Sequence, residues 1–356
     1  MVYYLLSFFI LLLGLQSFNN AKSVKPIYIV AISVIVLVAG FKTQGSTDFF
    51  SYKGVYDYSN TTLNLESSYE LGFQLFNIIC KQLGFSFVIY YFLFTCINIG
   101  IKAYVINKIV PYVFPALLMY LCGVFFERDN DGIRQGMSIS FCFLSMYYLI
   151  QKQRKAFLVS YLVAVLFHYT SFVFVIVYLF DKIKIKDKYV AITVMTFFVL
   201  CALHLSFSNL LINYLPSAIV HSKIEKYTDS DGYSVSMGIS IGILFRLFIL
   251  MLFMKMRQKM TISEQFYLIL RNGFAASLIM SLAFNDFVIL AHRLPYVFRE
   301  FQIFIVPYLF TAIKNNSQKT VFYILTWIYC CILLYRFLNG DAADVYKSYE
   351  NYLFSF

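Results

Sequence analysis

A chain of 356 residues that is 60% hydrophobic, 13% charged and has a mean hydropathy of +0.72 is too apolar for a soluble domain, which runs nearer about 45–50% apolar and about 25% charged. The net charge of +11 does not mark a nucleic-acid surface, because the lysines and arginines fall mostly in short loops between apolar blocks, the distribution of a membrane protein. The seven cysteines sit in apolar segments without ligand spacing and the four histidines are far apart, so neither a metal site nor a cofactor is expected.

The apolar blocks, in chain order, cover residues 2–18, 27–41, 85–105, 112–126, 133–150, 157–180, 189–207, 237–254, 266–284, 294–313 and 320–338. A helix crossing the hydrocarbon needs about 20 such residues. The pattern predicts an all-α, polytopic integral membrane protein of about 10–12 transmembrane segments, read as one domain over 1–356. The first block has no basic residue before it and no small-x-small cleavage site after it, so it is read as a retained span with its N-terminus outside. Four hydrophilic stretches remain: 42–84, 127–132, 208–236 and the tail 339–356.

Basic residues set the sidedness. Lys22 and Lys25, then Lys102 and Lys108, then Lys152, Arg154 and Lys155 are assigned to alternate loops, which therefore face the cytoplasm. Block 157–180 is followed by "DKIKIKDK", with Lys182, Lys184, Lys186 and Lys188. A single crossing would put these lysines outside, together with "KMRQK" (255–259) and Lys314 and Lys319. A re-entrant hairpin with its vertex near His168 returns them all to the cytoplasm. Each arm of about 12 residues would reach about 18 Å, and such a hairpin needs protein or a water-filled cavity around its backbone. The hydrophilic stretches then face outward.

On that side lies "FERDNDGIRQG", which carries Glu127, Arg128, Asp129, Asp131 and Arg134, and later "ILAHRLPYVFREF", with Arg293 and Arg299. Arginines near helix ends can simply snorkel to the headgroups. Outward loops are poor in arginine, however, and the guanidinium fork matches phosphate oxygens, so these four point to a phosphate or diphosphate ligand. Arg246 and Arg271 lie deeper or toward the other side and are read as structural or of unknown role. His168, at the proposed vertex, can accept a proton near neutral pH or donate to a phosphate. Asp48, Tyr52, Tyr56 and Tyr58 offer rings and acceptors suited to sugars, or else an interfacial aromatic belt. Residues 70–80 read as a helix in the interface with Leu71, Leu75 and Ile79 on one face. No nucleotide-binding loop, Ser/His/Asp spacing or internal repeat is visible.

These segments resemble the EpsG-like, Wzy-type polysaccharide polymerases. "STDFFSYKGVYDY" and "YELGF" are similar to that family's first outer loop, "GIRQGMSIS" to its arginine-bearing span start, "KQRKAFLVSYLVAVLFHYTSF" to its basic loop entering a Phe-His segment, and "HRLPYVFREFQIFIVPYL" to its late arginine run. The order holds between Thr47 and Leu309, while "RDND" is more charged than the family pattern. The resemblance implies a metal-independent, GT-C-like glycosyltransferase of the bacterial inner membrane that needs no cofactor. Its substrates would be undecaprenyl-diphosphate-linked oligosaccharides at the periplasmic face. The growing glycan would pass to the non-reducing end of an acceptor unit, a chain-length regulator would be its protein partner, and nucleic acid would play no part. On this reading Arg134 and Arg293 hold the diphosphate, and Arg128, Arg299, Asp131, Tyr52 and Tyr56 complete the substrate site. His168, Asp48 and Asp131 compete as general base, with His168 preferred. The rival functions are a flippase for the same lipid-linked glycans, which should carry buried charges along a central path and repeat symmetry, and another GT-C-type transferase or ligase.

Overall fold

The computed structural model describes residues 2–19, 24–58, 62–64, 69–205, 238–286, 288–340 and 343–353. The expected outward stretch 208–236 lies outside the described residues. The protein is an all-α membrane protein: three helices are long and apolar enough to cross a bilayer, and further apolar helices are shorter. The chain packs as two compact units, Met1–Phe172 with Val306–Phe356, and Val173–Ile305.

The first unit contains α1 (Val2–Asn19), α2 (Val24–Gly40), β1 (Lys42–Gln44), α3 (Phe49–Tyr58), α4 (Leu71–Gln82), α5 (Phe87–Ile109), α6 (Val113–Tyr120), α7 (Ile133–Ile150) and α8 (Arg154–Phe167). Between α6 and α7 the chain runs as a nine-residue π-helix, Leu121–Asp129. Ser86 caps the start of α5 by accepting from the Ile89 amide; its end at Val110 precedes Pro111, where proline pushes its neighbour out of helix. Leu5, Phe8 and Leu12 on α1 are exposed, as a lipid-facing stripe at helical spacing should be. The predicted interfacial helix is α4. Its Leu75 and Ile79 are exposed, while Phe73, Asn77 and Cys80 face inward.

Phe49, Tyr52, Tyr56, Phe73, Phe87, Tyr90, Tyr91 and Phe94 form one buried aromatic cluster with Ile133 and Met137. It fixes α3 and α4 against α5 and α7. Tyr56 and Tyr90 stack at 4.4 Å, and Phe76 meets Phe94 edge-on at 5.2 Å; such pairs add about 0.5–1.5 kcal/mol each beyond the area they bury.

Block 157–180 breaks at His168, as expected. α8 ends there, His168 is extended (φ −160°, ψ 124°), and a 3-10 helix follows over Tyr169–Ile176. One expectation is corrected. Lys102 is not a loop lysine: it lies inside α5, fully buried, and contributes nothing to sidedness. Lys108, exposed in the last turn of α5, is the lysine that remains at that end of the helix.

The second unit contains α9 (Val177–Phe180), α10 (Asp187–Ala202), α11 (Ile241–Lys255), α12 (Glu264–Ala283), α13 (Val288–Arg293) and α14 (Tyr296–Arg299). α12 is buried along most of its length and organises the unit. Its Arg271 donates to Asp187 (2.6 Å) and to the carbonyls of Ile185 (2.8 Å) and Ile183 (3.2 Å), while Asn272 donates to Phe180 O (2.6 Å) and Ile183 O (2.9 Å). Arg271 is thus structural. Arg246 is buried in α11 and donates to Ser281 (3.3 Å).

The block 294–313 is interrupted. α14 is followed by α15 (Gln302–Leu309), in which Pro307 sits, and by a short 3-10 turn, Phe310–Ala312. The chain then returns in the first unit as α16 (Asn316–Leu338), α17 (Ala343–Lys347) and β2 (Glu350–Asn351). β2 pairs antiparallel with β1, so residues 343–353 of the tail fold back onto the end of α2. Tyr349 donates to Val38 O (2.9 Å) and Asn351 to the same carbonyl (3.1 Å).

Candidate functional site

Each charge of "FERDNDGIRQG" has a definite place. Asp129 is buried and accepts from Lys102 (2.8 Å), Asn98 (2.9 Å) and the Tyr120 hydroxyl (2.6 Å). Lys102 also donates to Asn98, Gly136 O and Ser140, so the ammonium is surrounded by acceptors. Asp129 is therefore corrected from an edge charge to half of a buried ion pair. Glu127 lies beside Arg128 at 3.7 Å. The π-helix ends at Asp129, and from there three successive side chains face three different partners.

Asn130 accepts from the Lys42 ammonium at both its backbone and its side-chain oxygen. Burial pushes the Lys42 amine down to about 7, with Asp131 and Asp48 opposing that shift. Asp131 accepts from the Thr47 hydroxyl (2.7 Å), the Asp48 amide (3.2 Å) and the Tyr346 hydroxyl of α17 (2.9 Å). Its oxygens brace the loop that carries Asp48.

Arg134, at the first turn of α7, pairs with Glu70 at the N-terminus of α4. Its guanidinium lies over the ring of Tyr69 at 4.8 Å and near that of Phe73 at 5.8 Å. Its Nε is buried with no acceptor in range. Asp48, half-buried, feels Arg134, Asp131, Lys42 and Tyr52. Burial, then the neighbouring Asp131 charge, push its carboxyl up; Arg134, a hydrogen bond from Tyr52 and Lys42 oppose them. Tyr52 belongs to the aromatic cluster with its ring buried, and burial raises its hydroxyl. Tyr56 is equally buried and donates to Phe85 O (2.7 Å). Both rings pack in the interior.

His168 reaches the same region through α7. Ser138, one turn after Arg134, donates to Ala164 O (2.6 Å) and bonds to Ser171. Gly72 of α4 lies against the Leu166 carbonyl, 2.8 Å from where a Cβ would stand. The first unit thus gathers Asp48, Glu70, Asp131, Arg134 and the His168 break around the start of α7. His168 Nδ1 is engaged by the Thr170 hydroxyl (2.7 Å) and by its amide (3.3 Å).

The later arginines belong to the second unit. Arg293 closes α13, is exposed, and has no ion pair among the described residues. Arg299 lies over Tyr296 at 4.2 Å and bonds to the fully buried Glu300 at 3.1 Å. Among the described residues, no group of three or more His, Cys, Asp or Glu is arranged to hold a metal ion.

Sequence reasoning did not single out Glu70, Lys42, Thr47 or Tyr346. Glu70 lay within "YELGF", and a carboxylate beside an aromatic face is the partner a lone arginine needs. Tyr346 carries no local signal, because its role depends on the tail folding back.

The family model described as "EpsG family" matches residues 25–354. No curated protein and no solved structure matches the chain.

Proposed function

Because the chain belongs to the EpsG family over nearly its whole length, and so shares a polysaccharide polymerase-like role at the level of the family, we propose that it polymerises undecaprenyl-diphosphate-linked oligosaccharide repeat units. The growing glycan leaves its lipid diphosphate and joins the non-reducing end of an acceptor unit, at the periplasmic face of a bacterial inner membrane. A chain-length regulator is the proposed partner, and neither metal nor cofactor is required.

The family match carries this reading; the cluster at the start of α7 supports its chemistry. An acceptor hydroxyl attacks the anomeric carbon, the bond to the diphosphate breaks, and the negative charge moves onto the leaving phosphate. Donors fixed in advance at that phosphate lower the barrier. Arg134, flanked by Tyr69 and Phe73 and with part of its side chain open to solvent, has such a donor to offer in the first unit, while Arg293 carries an exposed fork of the same kind in the second. Arg128 supports Arg134, and Arg299 supports Arg293. The proton of the acceptor hydroxyl goes to Asp48, whose carboxyl is pushed up by burial and by the neighbouring Asp131 and so takes a proton more readily than an exposed carboxylate. His168 is the second candidate for that proton.

The test is the surface-glycan profile of a deletion strain complemented with the wild-type gene or with Arg134→Ala. Polymerisation predicts that deletion leaves a single repeat unit, and that only the wild-type gene restores the ladder. Loss of even the single unit would favour a flippase or ligase.

A further inference from the structure

The two basic loops of the second unit, "DKIKIKDK" and "KMRQK", are brought together by side chains on α12. Tyr267 donates to Asp187 (2.8 Å) at the start of α10. The Arg257 guanidinium lies over the same Tyr267 ring at 4.7 Å, and that of Arg271 at 5.7 Å. Arg257 also pairs with Glu264 (2.7 Å) at the first turn of α12. The turn after α11 and the loop between α9 and α10 therefore share one end of the unit.

That end is rich in unpaired positive charge. Lys182, Lys184, Lys186, Lys188, Lys255 and Lys259 are all exposed, and among the described residues none of them forms an ion pair. Asp187 is already taken by Arg271. The loop is also held in shape. Arg271 donates to the carbonyls of Ile183 and Ile185, two residues apart, as an extended chain presents them.

The lysines alternate with apolar side chains, since Ile183 is 36% and Ile185 50% exposed. This apolar surface continues along the neighbouring helices. Leu179 on α9 and Tyr189, Ile192, Met195 and Val199 on α10 are exposed, the stripe of a helix facing acyl chains. Tyr178 and Tyr189 flank the loop, with Lys182 and Lys188 over their rings at 4.2 and 4.8 Å. Tyrosines at the edge of an apolar stripe mark the interface of a bilayer.

We infer that this end of the second unit is a preformed binding site for anionic phospholipid headgroups, with Lys182, Lys184, Lys186 and Lys188 meeting the phosphates while Ile183 and Ile185 enter the acyl boundary. An acidic soluble partner would satisfy the lysines but leave the isoleucines and the continuous α10 stripe in water. Lipid satisfies both. The inference does not depend on the proposed polymerase activity.

The full-length protein, purified in detergent and exchanged into nanodiscs of phosphatidylcholine mixed with phosphatidylglycerol, provides the test. Native mass spectrometry reads which lipid the protein retains. Wild type is expected to enrich phosphatidylglycerol, and each lysine replaced by glutamine to lower that preference by about fivefold. Replacing the four lysines by arginine should keep it, and added salt should weaken it. Ile183→Ser with Ile185→Ser should release lipid of both kinds. Equal retention of the two lipids by wild type, or a preference that survives both salt and the lysine-to-glutamine changes, overturns the site. So does capture of an acidic protein without lipid enrichment. Should the fourfold arginine variant elute as aggregate, the single lysine-to-glutamine changes and the salt series on wild type decide the matter.

Discussion

Lys102 and Asp129 form a salt bridge of 2.8 Å with both side chains wholly inside the protein. The pair joins the middle of α5 to the end of the π-helix, and Asn98, Ser140, Tyr120 and the Gly136 carbonyl complete its hydrogen bonds. Removing one partner from such a pair strands a buried charge, at a cost of about 3–5 kcal/mol. Lys102→Met is therefore expected to lower the melting temperature of the purified protein sharply. Adding Asp129→Asn should recover much of the loss, because no lone carboxylate then remains. A double variant as unstable as the single one would show that geometry, rather than charge, dominates here.

Gly136 is the second fixed point of this network. A Cβ at that position would run into the Asp129 carboxylate and stand 2.9 Å from the Arg128 carbonyl. Asp129 is held by three donors and cannot give way cheaply. Gly136→Ala is expected to cost about 1–3 kcal/mol as overpacking, seen as a lower melting temperature and reduced membrane accumulation. Gly54→Ala, where nothing lies within 4 Å of the added methyl, is the control and should change little.

The sequence disclosed the helices and the break at His168, because both are local. Apolar run lengths gave α7 its bounds, and the excess of lysines after block 157–180 favoured an interrupted block over a single tilted span. What stayed hidden was pairing. Lys102 lay within an apolar block, where an ionisable residue should be expected to have a buried partner; counting it as a loop charge missed Asp129. Arg134 is legible as a candidate phosphate-binding fork, yet its partner Glu70, some sixty positions earlier, is not. Only the fold brings α4 onto the first turn of α7. The bracing of Asp131 by Tyr346 depends on the β1–β2 pairing of chain ends, which no periodicity encodes.

Asp48 makes the protein's stability depend on pH in a defined direction. Its folded-state carboxyl is raised by burial and by Asp131, so the neutral form is the one the fold prefers. The resulting stabilisation is complete below the unfolded pKa and is lost as pH rises through the higher folded value. Asp48→Asn should thus be more stable than wild type at neutral pH and no more stable in acid, as thermal unfolding across a pH series would record. If Asp48 is the base, the same variant loses polymerisation while folding normally. A variant that polymerises at the wild-type rate would pass the role to His168.

Tyr346 ties the chain's end to the loop that carries Asp48. Its hydroxyl is one of three donors on Asp131, and hydrogen bonds to charged groups contribute about 1.5–3 kcal/mol. Tyr346→Phe keeps the ring against Phe337, at 4.3 Å, and removes only the hydroxyl. The expected result is a modest fall in melting temperature with a shorter glycan ladder at equal protein level. A ladder of full length would mean that Thr47 and the Asp48 amide hold Asp131 without help.

Arg134 and Glu70 set the sharpest test of the proposed chemistry. The arginine is already paired, so a purely structural role and a diphosphate-binding role both predict that Arg134→Ala fails. Arg134→Lys separates them. A lysine can still meet Glu70 as a point charge, but it has neither the planar fork nor the Nε that in the arginine lacks an acceptor. With a structural role, Arg134→Lys keeps stability and ladder together. With a role at the diphosphate, the protein stays folded while polymerisation drops by about 10²–10³-fold, the loss typical of removing one preorganised donor. Glu70→Gln should behave in the opposite way. It leaves the guanidinium in place and frees it from its carboxylate, so stability falls while the remaining protein still extends the glycan.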